Sequence, residues 1–354
     1  MTMTTIIAAM QNSILTLESS KTGWNTQGSL KGTSPQCIAF DPSNPNRGYC
    51  GTFGDGLWKT DDGGQTWDGI GRASISSKDV MSVAVSHHHL KRGNNEFNTV
   101  YVGTEPTALY RSDDGGISWE KMSALNNLKS STSWSFPPRP WTSHVRWIEP
   151  DVNNPDYVFA AIEAGALVQS HDGGKTWIDR VEGGPYDTHT MATHQKVPKR
   201  IYSSAGDGYF ESFDYGESWK RTTVGLKHHY LAGLAVDSGD PQNVVVSASP
   251  SAWQAHSIED AESFVYRRSL EGKEDDENSE VWRPVTNGLP EPSGTIISVL
   301  AANPRVAGEF YAINNRGIFC SIDLGSSWKM LDGLQWPKEY LSQHPFALVV
   351  REDR

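Results

Sequence analysis

One nine-residue pattern recurs five times along the chain: "KTDDGGQTW" (59–67), "RSDDGGISW" (111–119), "QSHDGGKTW" (169–177), "ESFDYGESW" (211–219) and "CSIDLGSSW" (320–328). Each copy places Ser or Thr two residues before an Asp, Gly two residues after it, and Ser or Thr directly before Trp. Taken singly, the acids and glycines look like a loop for a metal or a phosphate. Five copies point to architecture instead, because a catalytic constellation is rarely needed five times, whereas a turn is needed once per structural repeat. Strand-like runs flank the pattern, as Leu109 and Tyr110 do before Asp114. Between such runs Asp-Gly and Gly-Gly favour tight hairpins, since Gly accepts positive φ. The Asp carboxylate can take backbone N–H groups a few residues on, and the Trp offers a large apolar body to the next layer.

This pattern resembles the Asp-box (bacterial neuraminidase) repeat of sialidases, xyloglucanases, sortilin-type receptors and photosystem assembly factors. The resemblance implies a β-propeller, with each box joining the third and fourth strands of a blade on the side away from the ligand-binding mouth. Tryptophans that would open a fourth strand are Trp24, Trp67, Trp119, Trp177, Trp219, Trp282 and Trp328. Their spacing is close to the roughly 40–50 residues of a four-stranded blade plus insertions. Seven blades follow, two of them without a good box, near "TLESSKTGW" and near "RSLEGKEDDENSEVW". The start "TIIAAMQNSILTLE" reads as a second strand, and "PFALVV" (345–350) supplies the missing first strand, closing the ring without exposed edges. The expected fold is therefore all-β, a single seven-bladed β-propeller over residues 1–354.

Length alone would favour two or three domains, but one blade cannot bury its faces without neighbours. The formal charge of −11 argues against a nucleic-acid groove or an anionic membrane surface. No stretch approaches the roughly 20 apolar residues of a membrane span. The N-terminus lacks the basic start of a secretion signal. Cys37, Cys50 and Cys320 lie in strand patterns without metal spacing, which reads as free thiols in a reducing cytoplasm.

In a propeller the loops from fourth to first strands, and from second to third, converge on one mouth, the default ligand site. Aligning the blades puts Glu105, Glu163, Asp207 and Arg316 in second-to-third loops. The first strands "TSHVRW", "YDTHTM" and "KHHYLAG" add His144, Arg146, Asp187, His189, His228, His229 and Tyr230. Two insertions enlarge the same face. Residues 125–142 carry Trp141 within an aromatic and proline-rich wall, and residues 249–264 carry Trp253 and His256, with a short helix expected. Long aromatic loops in compact domains are usually functional. By contrast His87, His88 and His89 fall in a first-to-second loop and read as a solvated turn, and "EGKEDDENSE" (271–280) as an acidic loop.

Histidines and carboxylates around one cavity suit a divalent metal or general acid–base work. The acid–base set is Glu163, Asp187 and Asp207 with Arg146 as an anion clamp; the metal set is His144, His189, His228 and His229; ligand contacts fall to Glu105, Trp141, Tyr230, Trp253, His256 and Arg316. Exposed aromatic faces beside carboxylates suit a small polar or carbohydrate ligand. Resemblance to sialidases would imply an arginine cluster and a Tyr–Glu pair on six blades, and only Arg146 and Arg316 are well placed, with Arg139 a weaker third. Resemblance to xyloglucanases would imply catalytic aspartates between two propellers, and this chain has one. Two expectations stand: a ligand-binding propeller acting as a glycosidase-like or metal-assisted hydrolase or lyase, and a noncatalytic scaffold for a protein partner like the photosystem assembly factors.

Overall fold

The computed structural model describes residues 3–21, 23–92, 95–269 and 281–352; the acidic run 271–280 lies outside them. Seven antiparallel sheets are arranged in chain order. Their inner strands are Pro35–Asp41, Asp79–Arg92, Val145–Pro150, Thr188–Thr193, Tyr230–Val236, Val299–Ala302 and Pro345–Glu352. Each neighbours the next, and the last returns to the first, so the ring is closed. Six sheets have four strands, while the one beginning at Val145 has three, its fourth position reduced to a bridge between Gln169 and Ile178.

Closure works as expected, with "PFALVV" supplying the missing first strand. The strand Pro345–Glu352 pairs antiparallel with Thr4–Met10, with Ile6 opposite Val350 and Ala8 opposite Leu348. The second strands Val158–Ile162 and Ile201–Ala205 are buried along their whole length, because both faces of a blade are covered by its neighbours. The cores lie in these wedges: Tyr101 and Leu109 of the third blade pack with Val158, Ala160 and Trp177 of the fourth.

Four of the five Asp-boxes join third to fourth strands, the one at Asp172 leads to the Ile178 bridge, and all five share one bonding scheme. In the first, Thr60 Oγ1 donates to Asp62 Oδ1 at 2.7 Å, Thr66 N donates to the same oxygen at 2.9 Å, and Gly64 N donates to Thr60 Oγ1 at 2.9 Å. Trp67 Nε1 then donates to the carbonyl of Gly64. The same contacts recur at Asp114, Asp172, Asp214 and Asp323. The carboxylate is consumed by its own turn, as the repeat argument requires.

The histidine tract departs from the expected turn. The strand Asp79–Arg92 runs through residues 87–89, and its pairing with Asn95–Glu105 shifts between Val85 and His89. Asn98 Nδ2 donates to the Ser86 carbonyl at 2.6 Å, satisfying backbone that the irregularity would leave unpaired and letting the hairpin continue. Cys37, Cys50 and Cys320 are free. Among the described residues no helix is long and apolar enough to cross a membrane.

Candidate functional site

The mouth is built from strand ends. His144 directly precedes the inner strand Val145–Pro150, and Arg146 lies two residues on, at a register shift in the strand, from where it also reaches Glu163. Glu163 follows the second strand Val158–Ile162. Glu105 ends the second strand of the preceding blade, and His189 belongs to the inner strand of the following one.

These residues form one network. His144 Nε2 is 2.7 Å from Glu163 Oε2, and its Nδ1 is 3.2 Å from Glu105 Oε2. Both ring nitrogens face carboxylates, an arrangement that suits only the imidazolium. Burial opposes that charge, but the two glutamates overcome it and raise the His144 pKa. Arg139 grips Glu105 through two bonds of 2.7 Å and lies over the rings of Phe53 and Phe136. Burial would raise Glu105, yet His144 and Arg139 hold it down to about 2. Glu163, with Arg146 Nε 3.5 Å away, is likewise held far below the usual carboxylate range against its burial.

His189 is 2% exposed. Its Nδ1 meets the Leu231 carbonyl at 2.5 Å, while Nε2 faces Asp187 Oδ2 at 3.5 Å and Glu163 Oε1 at 4.0 Å. Burial works against the charged ring, but Asp187 and Glu163 raise its pKa. Asp187 Oδ1 accepts from Ala164 N at 2.7 Å. The approach of Asp187 depends on "AGDG": a Cβ on Gly206 would lie 2.1 Å from Asp187 Oδ2. Asp207 turns back to the backbone of Tyr186 and Asp187, each 3.3 Å away, so it holds a turn.

A second chain of contacts leaves this cluster through Tyr230, whose ring is 5.0 Å from that of His189. Tyr230 Oη is 2.9 Å from His256 Nε2, His256 Nδ1 is 2.7 Å from His344 Nε2, and His344 Nδ1 is 2.6 Å from the Pro345 carbonyl. One orientation satisfies all three: Tyr230 donates to His256, His256 to His344, and His344 to the carbonyl, with both rings neutral. Burial lowers both pKa values, His344 to about 4. The helix Ala252–His256 in the second insertion carries His256 to this position, and Ser251 caps it by accepting from Gln254 N.

The remaining candidates lie elsewhere. His228 contacts Tyr266 Oη at 2.7 Å and stacks on Phe264; His229 faces the Leu226 carbonyl at 3.2 Å. Thus His144, His189, His228 and His229 do not converge as a metal set. Arg316 lies over Gly294. Trp141 and Trp253 are 80% and 68% exposed, and Trp253 Nε1 donates to Asp260. Sequence reasoning missed His344, which only ring closure brings to His256, and the full part of Arg139, whose partner lies 34 residues away.

The inner strands line a cavity of about 340 Å³, with Arg146, His256 and His344 as well as Met81, Met191 and Leu234 in its walls. Glu149 also lines it. Burial lifts the Glu149 carboxyl to about 7, although Trp147 Nε1 and both donors of Thr193 contact it.

Fold and site together define a seven-bladed β-propeller with a charged, partly enclosed mouth. Residues 110–121 match the BNR/Asp-box repeat family, and the same turn occurs five times on this seven-bladed β-propeller. A xyloglucanase from a Paenibacillus species is 24% identical over 249 residues, 66% of this chain but only 20% of that protein. An ancestral GH74 enzyme superposes with a TM-score of 0.60 at 17% identity, covering 90% of this chain and 38% of its own. YCF48 bound to D1 peptide superposes at 0.56 with 16% identity, covering 91% of this chain and 94% of its own. The chain thus spans a minor part of the carbohydrate-enzyme relatives and nearly all of the peptide-bound one.

Proposed function

We propose that the mouth binds a small polar ligand, a carbohydrate fragment or another polyhydroxylated or anionic compound, and acts on it as a hydrolase or lyase. The observation that carries this reading is Glu163, a largely buried carboxylate that meets His144, His189 and Arg146, the last of which also lines the central cavity. Such a cluster costs desolvation that a scaffold surface has no need of. A two-carboxylate glycosidase needs one carboxyl protonated at working pH, and Glu105 and Glu163 are both held ionised. Acid–base work therefore falls to the charged His144, the neutral His256 and the Glu149 carboxyl, which burial lifts to about 7. The test is a thermal-shift and calorimetric screen of mono- and oligosaccharides, polyols and small carboxylates against wild type and Arg146→Ala. A ligand that raises Tm in wild type alone supports the proposal; no response across the panel overturns it.

The second reading, a protein-binding scaffold, is favoured by the near-complete mutual coverage with the peptide-bound YCF48 and by exposed Trp141 and Trp253. Under it, Trp141→Ala with Trp253→Ala abolishes partner capture in pull-downs, whereas Arg146→Ala does not.

A further inference from the structure

Three side chains at the mouth each have one polar atom fixed and the other turned to a common point. Glu163 Oε2 is taken by His144, leaving Oε1. Asp187 Oδ1 is taken by Ala164 N, leaving Oδ2. His189 Nδ1 faces the Leu231 carbonyl, which can only accept, so Nδ1 carries hydrogen and Nε2 is the nitrogen left for an ion, which would displace any proton there. That nitrogen is buried and has no hydrogen-bond partner. His189 Nε2 is 3.5 Å from Asp187 Oδ2 and 4.0 Å from Glu163 Oε1, and one donor atom from each of the three residues lies within 4.8 Å of the others. Donors bonded to one ion at about 2.0–2.1 Å in tetrahedral geometry sit roughly 3.4 Å apart, so a contraction of at most about 1.4 Å would seat it. An imidazole N–H held by a backbone carbonyl is also the usual outer contact of a metal-bound histidine, fixing its tautomer and orientation.

We infer that Glu163, Asp187 and His189 form a three-point site for a divalent ion, its open position facing the mouth. One imidazole and two carboxylates suit Zn²⁺, Mn²⁺ or Fe²⁺ better than Ca²⁺ or Mg²⁺, which prefer oxygen alone. His144 is not a ligand, since both of its nitrogens are engaged by carboxylates. The inference deepens the proposed function and rests on it for what the open position would face.

The test uses the full chain after chelator treatment, titrated calorimetrically with ZnCl₂ and, in parallel, with MnCl₂ followed by paramagnetic resonance. Wild type is expected to bind one equivalent, and His189→Ala and Asp187→Asn, each checked for native circular dichroism, to bind at least 100-fold more weakly. No binding by wild type, or equal binding by both folded variants, overturns the site. Should both variants fail to fold, anomalous diffraction from zinc-soaked wild-type crystals decides: a peak between the three donors supports the site, and a peak elsewhere or none overturns it. Metal bound with no response in the saccharide, polyol and carboxylate screen would overturn the proposed function alone; a response from metal-free protein that binds no ion would overturn this inference alone.

Discussion

His144 stands between Glu105 and Glu163, one ring nitrogen toward each carboxylate, and so serves as the cation that lets two acids share a buried corner of the mouth. Removing it leaves the acids facing each other with Arg139 and Arg146 on their outer sides. His144→Ala is expected to lose about 3–5 kcal/mol in urea denaturation. Adding Glu105→Gln should return part of that loss, because the pair is coupled. A change under about 0.5 kcal/mol would show that the network carries no stability.

Gly206 makes room for Asp187. A methyl group there collides with the carboxylate, so Gly206→Ala is expected to cost about 1–3 kcal/mol and to dislodge Asp187 from Ala164 N. Asp187→Ala should cancel most of the steric cost. A double-mutant cycle by thermal denaturation checks this, and additive losses would contradict it.

The Asp-box turns should behave as staples with an acid limit. Asp62 is held down to about 2, chiefly by the hydroxyl and the backbone N–H of Thr66. A carboxylate depressed in the folded state contributes stability that is present above its unfolded pKa of about 4 and is lost as pH falls towards about 2. Asp62→Ala is expected to cost about 1–2 kcal/mol at pH 7, with the difference from wild type shrinking between pH 4 and pH 2. Denaturant midpoints across that range provide the measurement.

The histidine chain titrates with the opposite chemistry and the same direction. His344 is held near 4 when folded, against about 6.5 unfolded. Between those values the unfolded chain binds the extra proton, so stability falls on acidification, by at most about 1.4 kcal/mol per pH unit. Protonation also sets two N–H groups against each other at the His256–His344 contact. His344→Phe should flatten the pH dependence of Tm between pH 4 and pH 6.5, and an unchanged slope would remove this role.

Much of the architecture is readable because the repeat supplies its own alignment. Trp24 and Trp282 mark blades that lack the box, and the first strand missing at the N-terminus points to "PFALVV" as the closing strand. The same alignment brings Glu105, His144, Glu163, Asp187 and His189 to one mouth. What it cannot do is assign side-chain direction within a pair. His228 and His229 lie just before the inner strand Tyr230–Val236, so strand alternation does not govern where they point, and local contacts with Tyr266, Phe264 and the Leu226 carbonyl do. Arg139 and His344 were hidden for another reason: their partners are set by an insertion and by ring closure, which no local pattern encodes. The hairpin through His87 and His88 likewise depends on Asn98 reaching across it.

Because His344 adjoins the strand that pairs with Thr4–Met10, the last wall of the pocket arrives with the segment that locks the circle. A ribosome making this polypeptide must release residues near 352 before residue 256 can find its neighbour. Until then the ring holds six sheets and an incomplete seventh, so the wall that carries His344 is in place only once the closing strand has paired.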